Sequence, residues 1–349
     1  MGQPEEQRAR RKILSVVVPM YQAEAYIARC LDSFLIPEPE ILCRVEILVI
    51  DDGGTDGAAA IAETYAERYP DTYRVFHKEN GGHGSGINFG IEHAAGTYFK
   101  VVDADDWVDT EAFGRLVKEL EKLTGGKPDA DVVYTGFFWV LEGNGREKAE
   151  SREPFRGVVY QKTYSFDAVA DRLYMKIHHM TIRTEILKGH AVWLDEHCYY
   201  VDMEFITFPI PYVNTICFLD ESVYRYRIGS QGQSVAINSM QKNEADYDRV
   251  LQTLLSFYSK LGKEIPCSEA KRRYSAAMAA RMVAGKAKLM LSFPRSAGRW
   301  REWRAFDEKL KKDYPAVYMA NRNLAVALLR ATGYRLFDWI GIWVRRAYS

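Results

Sequence analysis

The chain has 349 residues, 47% hydrophobic and 27% charged, which suits one large globular domain or a domain with an appendage. Its 47 Lys and Arg balance 47 Asp and Glu, so no global basic field argues for a nucleic-acid partner. Five scattered cysteines, Cys30, Cys43, Cys198, Cys217 and Cys267, show no CxxC pairing, which argues against a zinc site or disulfide framework and for a reducing, cytoplasmic setting.

A polar tail over residues 1–12 runs into ILSVVV, an apolar run too short for a signal-peptide core, and it stops at Pro19. No stretch reaches the roughly 18 apolar residues that a spanning helix needs. Ile13 to Val18 reads as a strand buried on both faces, and Ile27, Leu31, Phe34 and Leu35 predict a helix over Ala23 to Leu35. Val45 to Ile50 is a second buried strand. Asp56 then caps a helix through Tyr69, and Tyr73 to His77 is a third strand. The loop Gly81 to Gly86 opens a helix to Ala95, and Tyr98 to Val102 is a fourth strand. This alternation predicts an α/β architecture: a doubly wound, mostly parallel sheet flanked by helices, with right-handed crossovers. Beyond a linker at Thr124 to Pro128, Val132 to Leu141 reads as an aromatic strand and Val158 to Gln161 as another. From Asn238 onward the pattern is helical, with caps such as Ser268 before Glu269.

Ligands of such sheets bind outside the carboxyl ends of the strands, where Pro19-Met20-Tyr21, Asp51-Asp52 and Asp103 to Asp106 all fall. Asp103-Ala104-Asp105 offers two carboxylates from one turn, a donor set for Mg²⁺ or Mn²⁺ and a diphosphate, although a DxD alone is often a solvated turn. Asp52 is placed to accept from the N3–H of a uracil ring, with the following glycines letting backbone approach, while Asp56 acts as the cap. The Gly81-to-Gly86 loop resembles a phosphate cradle without P-loop order, and no GxGxxG follows the first strand, against a dinucleotide fold. His83 is either a phosphate contact or a half-exposed loop residue, and Asn88 is positioned to hold the loop.

The ordered segments SVVVPMYQAEAYIARCLDSF, EILVIDDGGTDGA and ENGGHGSGINFGIEHAAGTYFKVVDADDW resemble the family 2 glycosyltransferases of fold type A, over about a third of the chain. The resemblance implies a nucleotide-sugar donor, most often a UDP-sugar, a divalent cation (Mn²⁺ or Mg²⁺), and inversion at the anomeric carbon. It implies that Pro19, Tyr21 and Asp52 surround the base, that Asp103 lies near the ribose, and that Asp105 binds the metal. Asn80, Gly82, Ala104, Arg225 and Arg227 are assigned with them to the donor. It divides the chain into a nucleotide-sugar-binding half (13–125), an acceptor-binding half (126–237) and a helical carboxyl-terminal region (238–349).

The family's catalytic carboxylate stands in an acidic pair downstream. Here Val201 replaces the first acid, leaving Asp202 as general base, with Glu204 and Asp195 in reserve; otherwise Asp202 is a helix N-terminal acid. Arg225 and Arg227, interleaved with tyrosines before Gly229 to Ser234, read as a lid over the diphosphate or as a strand with arginines in water. QxxRW is missing, which favours single addition over polymerisation. The expected acceptor is a glycan or lipid-linked glycan. The arginine-flanked stretch Arg335 to Arg346 suggests a helix in a membrane interface, or one packed on the domain, with packing favoured. Two alternatives are a sugar nucleotidyltransferase, which needs a Gly-rich, Lys/Arg-bearing loop where PMYQAEAYI stands, and an inactive carbohydrate-binding relative.

Overall fold

A computed structural model describes residues 11–125, 129–143, 145–149, 157–229, 236–295 and 298–348. The chain divides into two compact units, Met1–Ser230 and Gln231–Ser349.

The strands of the first unit are β1 (Leu14–Met20), β2 (Val45–Asp51), β3 (Tyr73–His77), β4 (Tyr98–Val101), β5 (Trp107–Val108), β6 (Val132–Leu141), β7 (Glu147–Ala149), β8 (Thr163–Ser165), β9 (Met180–Arg183) and β10 (Thr215–Ile228). Its helices are α1 (Ile27–Asp32), α2 (Pro39–Leu42), α3 (Ala58–Arg68), α4 (His83–His93), α5 (Thr110–Gly125), α6 (Phe166–Val169), α7 (Thr184–Gly189) and α8 (Asp202–Phe205). Short 3₁₀ turns lie at Ala170–Arg172, Ile177–His179 and Ile210–Tyr212. The strands form one sheet in the order β3-β2-β1-β4-β9-β6-β10-β5. The first four are mutually parallel, β9 is antiparallel to both its neighbours, and β6 and β10 are parallel again. The architecture is therefore mixed α/β and mostly parallel, as expected.

Alternation along β1 explains its double burial. Leu14, Val16, Val18 and Met20 join a core with Leu31 and Phe34 beside α1 and Phe113 and Leu116 of α5. Val17 and Pro19 face α4, which comes so close that a Cβ on Gly90 would lie 2.5 Å from the Val17 methyls and one on Gly86 would lie 3.0 Å from Pro19. These two glycines, one helical turn apart, are the flat side of a helix pressed onto a strand.

Two elements differ from the periodicity. The helix after β1 begins at Ile27 rather than Ala23, because the preceding segment turns at Gln22 (φ 50°) and ties to the next crossover. There the Glu24 N–H donates to Asp56 at 2.8 Å and the Glu24 carboxylate accepts from Gly57 N–H at 3.0 Å. Val158 to Gln161 is not a strand: Gln161 sits at φ 61° and donates its N–H to the Phe218 carbonyl, and pairing with β10 starts only at Thr163.

The second unit is helical: α9 (Ile237–Lys242), α10 (Glu244–Lys260), α11 (Glu269–Ser292), α12 (Trp300–Asp313), α13 (Pro315–Ala320), α14 (Leu324–Ala331) and α15 (Phe337–Tyr348). Helix α11 is buried over most of its length, with Glu269, Arg273 and Arg281 left exposed, and serves as the axle against which α10, α13 and α15 pack. Ser268 caps it, accepting from the Lys271 N–H at 3.2 Å. Fully buried Asp307 accepts from Arg330 at 2.7 and 2.9 Å and from the Tyr334 hydroxyl at 3.1 Å, so its charge is compensated on every side.

Candidate active site

β4 delivers Asp103 to Asp106 as a tight turn, with the Asp106 N–H donating to the Asp103 carbonyl at 3.0 Å. Three carboxylates in four residues repel one another, and β10 supplies the compensation. The two-residue strand β5 pairs antiparallel with β10, setting Trp107 opposite Arg225 and bringing Tyr224 and Arg227 to the turn. The Tyr224 hydroxyl donates to Asp106 Oδ2 at 2.6 Å and accepts from the Asp103 N–H at 3.2 Å. The Arg227 N–H donates to Asp106 Oδ1 at 2.8 Å, and its guanidinium reaches Asp105 Oδ2 at 2.8 Å and Glu142 at 3.1 Å while lying 3.8 Å from the Tyr26 ring centre. Burial, then the charges of Asp105 and Asp103, push the Asp106 carboxyl well above the usual range. Asp105 is raised by the same burial and by Asp103, against the pull of Arg227, and its side chain is 42% exposed.

Asp103 reaches both ways from the turn, its Oδ2 lying 3.5 Å from the Tyr224 hydroxyl and its Oδ1 turned toward α4. Its Oδ1 lies 2.8 Å from His83 Nε2, and the other ring nitrogen of His83 lies 3.6 Å from Asp202 Oδ1. One imidazole therefore bridges the turn after β4 to the first residue of α8. Burial works to lower the His83 ring, but the charge and hydrogen bond of Asp103, with Asp202 and Asp105, raise it to about 9. Asp103 in turn is raised by burial yet held below the ordinary carboxylate range by His83. Asp202 is 53% exposed; desolvation raises its carboxyl, His83 pulls it down and Asp103 adds to the rise. Glu204 is fully buried and accepts from the Asp195 N–H at 2.8 Å, so it anchors the segment before Asp202.

That segment is held by the glycine loop. Asn88 brackets it like a strand, donating to the Leu194 carbonyl at 3.0 Å and accepting from the Leu194 N–H at 2.9 Å. The His197 N–H donates to the Gly81 carbonyl at 2.5 Å, and a Cβ on Gly84 would lie 2.2 Å from the Asp195 carbonyl oxygen. The glycines serve close packing of α4 against β1 and against residues 194–198, and Asn88 does hold a loop, the later one.

Asp52 is buried at the end of β2. Its Oδ1 accepts from Lys78 at 2.6 Å and from the Gly81 N–H at 2.9 Å, and its Oδ2 accepts from the Gly82 N–H at 2.7 Å. Asn80 donates to the Asp52 carbonyl at 3.0 Å, and Gly82 needs its φ of 83° to present that N–H. Asp52 thus fixes the loop that carries His83. Pro19 is buried under α4, Tyr21 is exposed just beyond β1, and Ala104 is buried inside the turn. Arg225 is bound to Asp109 at 3.0 Å and to the Ser222 carbonyl at 2.6 Å, with its guanidinium 4.5 Å from the Phe138 ring centre, so it buttresses β10 rather than facing water. The lid segment beyond Gly229 lies outside the described residues.

Two residues of this site were not singled out by sequence. His178, in the 3₁₀ turn before β9, groups with Asp103 and Asp106 so that one ligand atom of each lies within 4.8 Å of the others. Its Nδ1 is buried without a partner among the described residues, and burial lowers the ring to about 3 despite Asp103, leaving a neutral imidazole. Lys100, fully buried in β4, donates to the His178 carbonyl at 2.9 Å, and burial lowers its ammonium to about 7. The only local signal is KIHHM, polar residues between apolar ones. The oxygens of Asp103 and Asp106 suit a hard divalent cation and the neutral His178 nitrogen adds one borderline donor, while Asp105 stands apart from this group, paired with Arg227.

Residues 15–188 match glycosyl transferase family 2. The chain belongs to glycosyl transferase family 2. It is 40% identical over 126 residues to the uncharacterized glycosyltransferase EpsJ of Bacillus subtilis, covering 36% of this chain and 34% of that protein. It is 23% identical over 250 residues to the minor teichoic acid biosynthesis protein GgaB of the same organism, covering 71% of this chain and 26% of GgaB. The chain thus spans only about a quarter to a third of the length of these curated relatives. Among solved structures, S. aureus TarS residues 1–349 in complex with UDP-GlcNAc superposes with a TM-score of 0.60 at 20% identity, covering 96% of this chain and 91% of that one. The mannosyltransferase PcManGT of Pyrobaculum calidifontis, in complex with GDP-Man and Mn²⁺, gives 0.50 at 16% identity over 96% of this chain and 85% of that one. The fold, a mostly parallel sheet flanked by helices with a helical carboxyl-terminal region, is similar to that of TarS.

Gly84→Ala is expected to lower stability by about 1–3 kcal/mol in denaturant titrations, since backbone and not a flexible side chain meets the new methyl. Gly189→Ala, whose Cβ would enter open space, is the control and should leave the midpoint unchanged.

Proposed function

We propose that the chain is a metal-dependent, inverting glycosyltransferase that moves one sugar from a nucleotide sugar, UDP-linked, to the hydroxyl of a glycan or lipid-linked glycan in cell-surface or exopolysaccharide synthesis. The observation that carries it is the bridge of His83 between Asp103 and Asp202, which gathers the turn after β4 and the half-exposed acid of α8 into one charged patch. The UDP-GlcNAc held by TarS and the teichoic acid role in GgaB's name support the donor and the pathway class. A cytoplasmic setting goes with five free cysteines. Among the described residues, no helix is long and apolar enough to cross a membrane.

In this reading Tyr21 and Pro19 border the base, and Asp52 sets the Asn80–Gly82 loop beside it. Asp105 would hold a divalent cation, which supplies charge neutralisation to the leaving diphosphate when bound, and Asp103 would lie near the ribose. Arg227, paired with Asp105 at 2.8 Å, would follow the diphosphate. Asp202 accepts the acceptor hydroxyl's proton as that oxygen forms its bond to C1; the C1–O bond to the diphosphate breaks on the opposite side, and UDP departs with the electron pair. A carboxyl raised by desolvation is a stronger base than a solvated one.

Asp202→Asn is expected to lower turnover by about 10²–10⁴-fold, followed as UDP release with a panel of UDP-sugars, while calorimetric UDP affinity holds. Full turnover in that variant would remove Asp202 from the role of base.

The pH dependence has a definite sign. Asp202 must be ionised, so kcat/KM falls as pH drops through its raised pKa. Protonated His83 pulls that pKa down, so His83→Gln should move the acid limb of the profile to higher pH. An unmoved limb would show that His83 does not act on the base.

A further inference from the structure

The second unit carries a surface that the donor chemistry does not use. On α14 the exposed positions are Leu324, Ala327, Leu328 and Ala331, spaced i, i+3, i+4 and i+7. The outer face of that helix is thus apolar from end to end, the reverse of an ordinary surface helix. On α15 and its approach the exposed stripe is Leu336, Trp339, Trp343 and Arg346, with Trp339 and Trp343 68% and 71% exposed.

Helix α15 does pack, as the sequence favoured, but through other residues. Phe337 is buried, Gly341 lies so near α11 that a Cβ would come within 3.0 Å of the Leu291 carbonyl, and Arg345 donates to the carbonyls of Leu291 and Phe293 at 3.1 and 2.8 Å. With that inner face fixed, the helix cannot roll to hide its tryptophans.

Charge selects the occupant. From Tyr314 to Ser349 the chain holds five arginines, at 322, 330, 335, 345 and 346, against a single acid, Asp338. Asp338 is already paired with Arg295 at 2.9 Å, Arg330 with Asp307, and Arg345 with the α11 carbonyls. Arg322 and Arg335 are exposed beside the apolar stripes. A symmetric contact with a second copy would set this patch against itself, like charge on like, with no carboxylate to answer it. An interface of phosphate headgroups over acyl chains answers both features: indole rings settle at headgroup depth and each arginine gains from anionic lipid.

We propose that the outer faces of α14 and α15 form a docking surface for an anionic lipid bilayer, on which the helices lie without crossing it. The surface stands independently of the donor reading, because partition onto lipid needs no turnover.

The full chain is sedimented with extruded vesicles of phosphatidylglycerol and phosphatidylcholine in equal parts, or of phosphatidylcholine alone, at low and high salt. The expected result is partition onto the anionic vesicles roughly tenfold or more above the neutral ones, weakened by salt. Trp339→Ser with Trp343→Ser should abolish it, and Arg322→Gln with Arg335→Gln should cut it about tenfold, both with unchanged melting and UDP affinity. Equal partition onto both vesicle types, or a folded tryptophan variant that sediments like the parent, overturns the proposal. So does an unbound chain that instead forms a concentration-dependent dimer lost in the tryptophan variant, which would make a second copy the occupant.

Discussion

The four-residue turn after β4 carries three carboxylates, and nothing in the local chain can neutralise them. The structure holds them by bringing in groups from far along the sequence: Tyr224 and the Arg227 N–H for Asp106, the Arg227 guanidinium for Asp105, and His83 for Asp103. Removing one such partner leaves charge in a poorly solvated place, the costly direction for any buried ionic network. The pairing of β5 with β10 and the docking of α4 therefore serve one electrostatic purpose. They keep the three acids crowded yet compensated at the end of β4.

The same network explains why β10 is long and irregular. It pairs in parallel with β6, its register slips between Phe218 and Tyr224, and beyond the slip it presents Tyr224 and Arg227 to the turn. A bulge that re-aims side chains beside a site is a familiar device of sheets. The glycines of α4 belong to the same economy of space. They bring the helix onto β1 on one side and residues 194–198 onto its amino end on the other, which sets Asp202 beside His83.

The first third of the fold was legible because strands buried on both faces read as continuous apolar runs, and because Asp51-Asp52 and Asp103 to Asp106 stand at their ends. The partners of those acids were not legible. Arg225 and Arg227 were visible as an alternating pair, but a strand facing water and a strand closing a network have the same local pattern; only the β5–β10 pairing tells them apart. His178 lies in a segment without periodicity or motif, while Lys100 sits inside a legible strand with nothing local to mark it, and the roles of both arise from contacts between β4 and the turn before β9. Val158 to Gln161 looked like a strand because its apolar content was right, while the positive φ at Gln161 carries no signature in a glutamine.

At the centre is the claim that Asp105, released from Arg227, shares a divalent cation with the donor diphosphate. Electron paramagnetic resonance of Mn²⁺ with and without UDP tests it directly. UDP should create a tightly bound Mn²⁺ population in the parent chain, and Asp105→Asn should weaken it roughly tenfold or more while the fold is retained. An Asp105→Asn chain that binds Mn²⁺ with UDP as well as the parent would contradict the account and move the cation to the Asp103, Asp106 and His178 group.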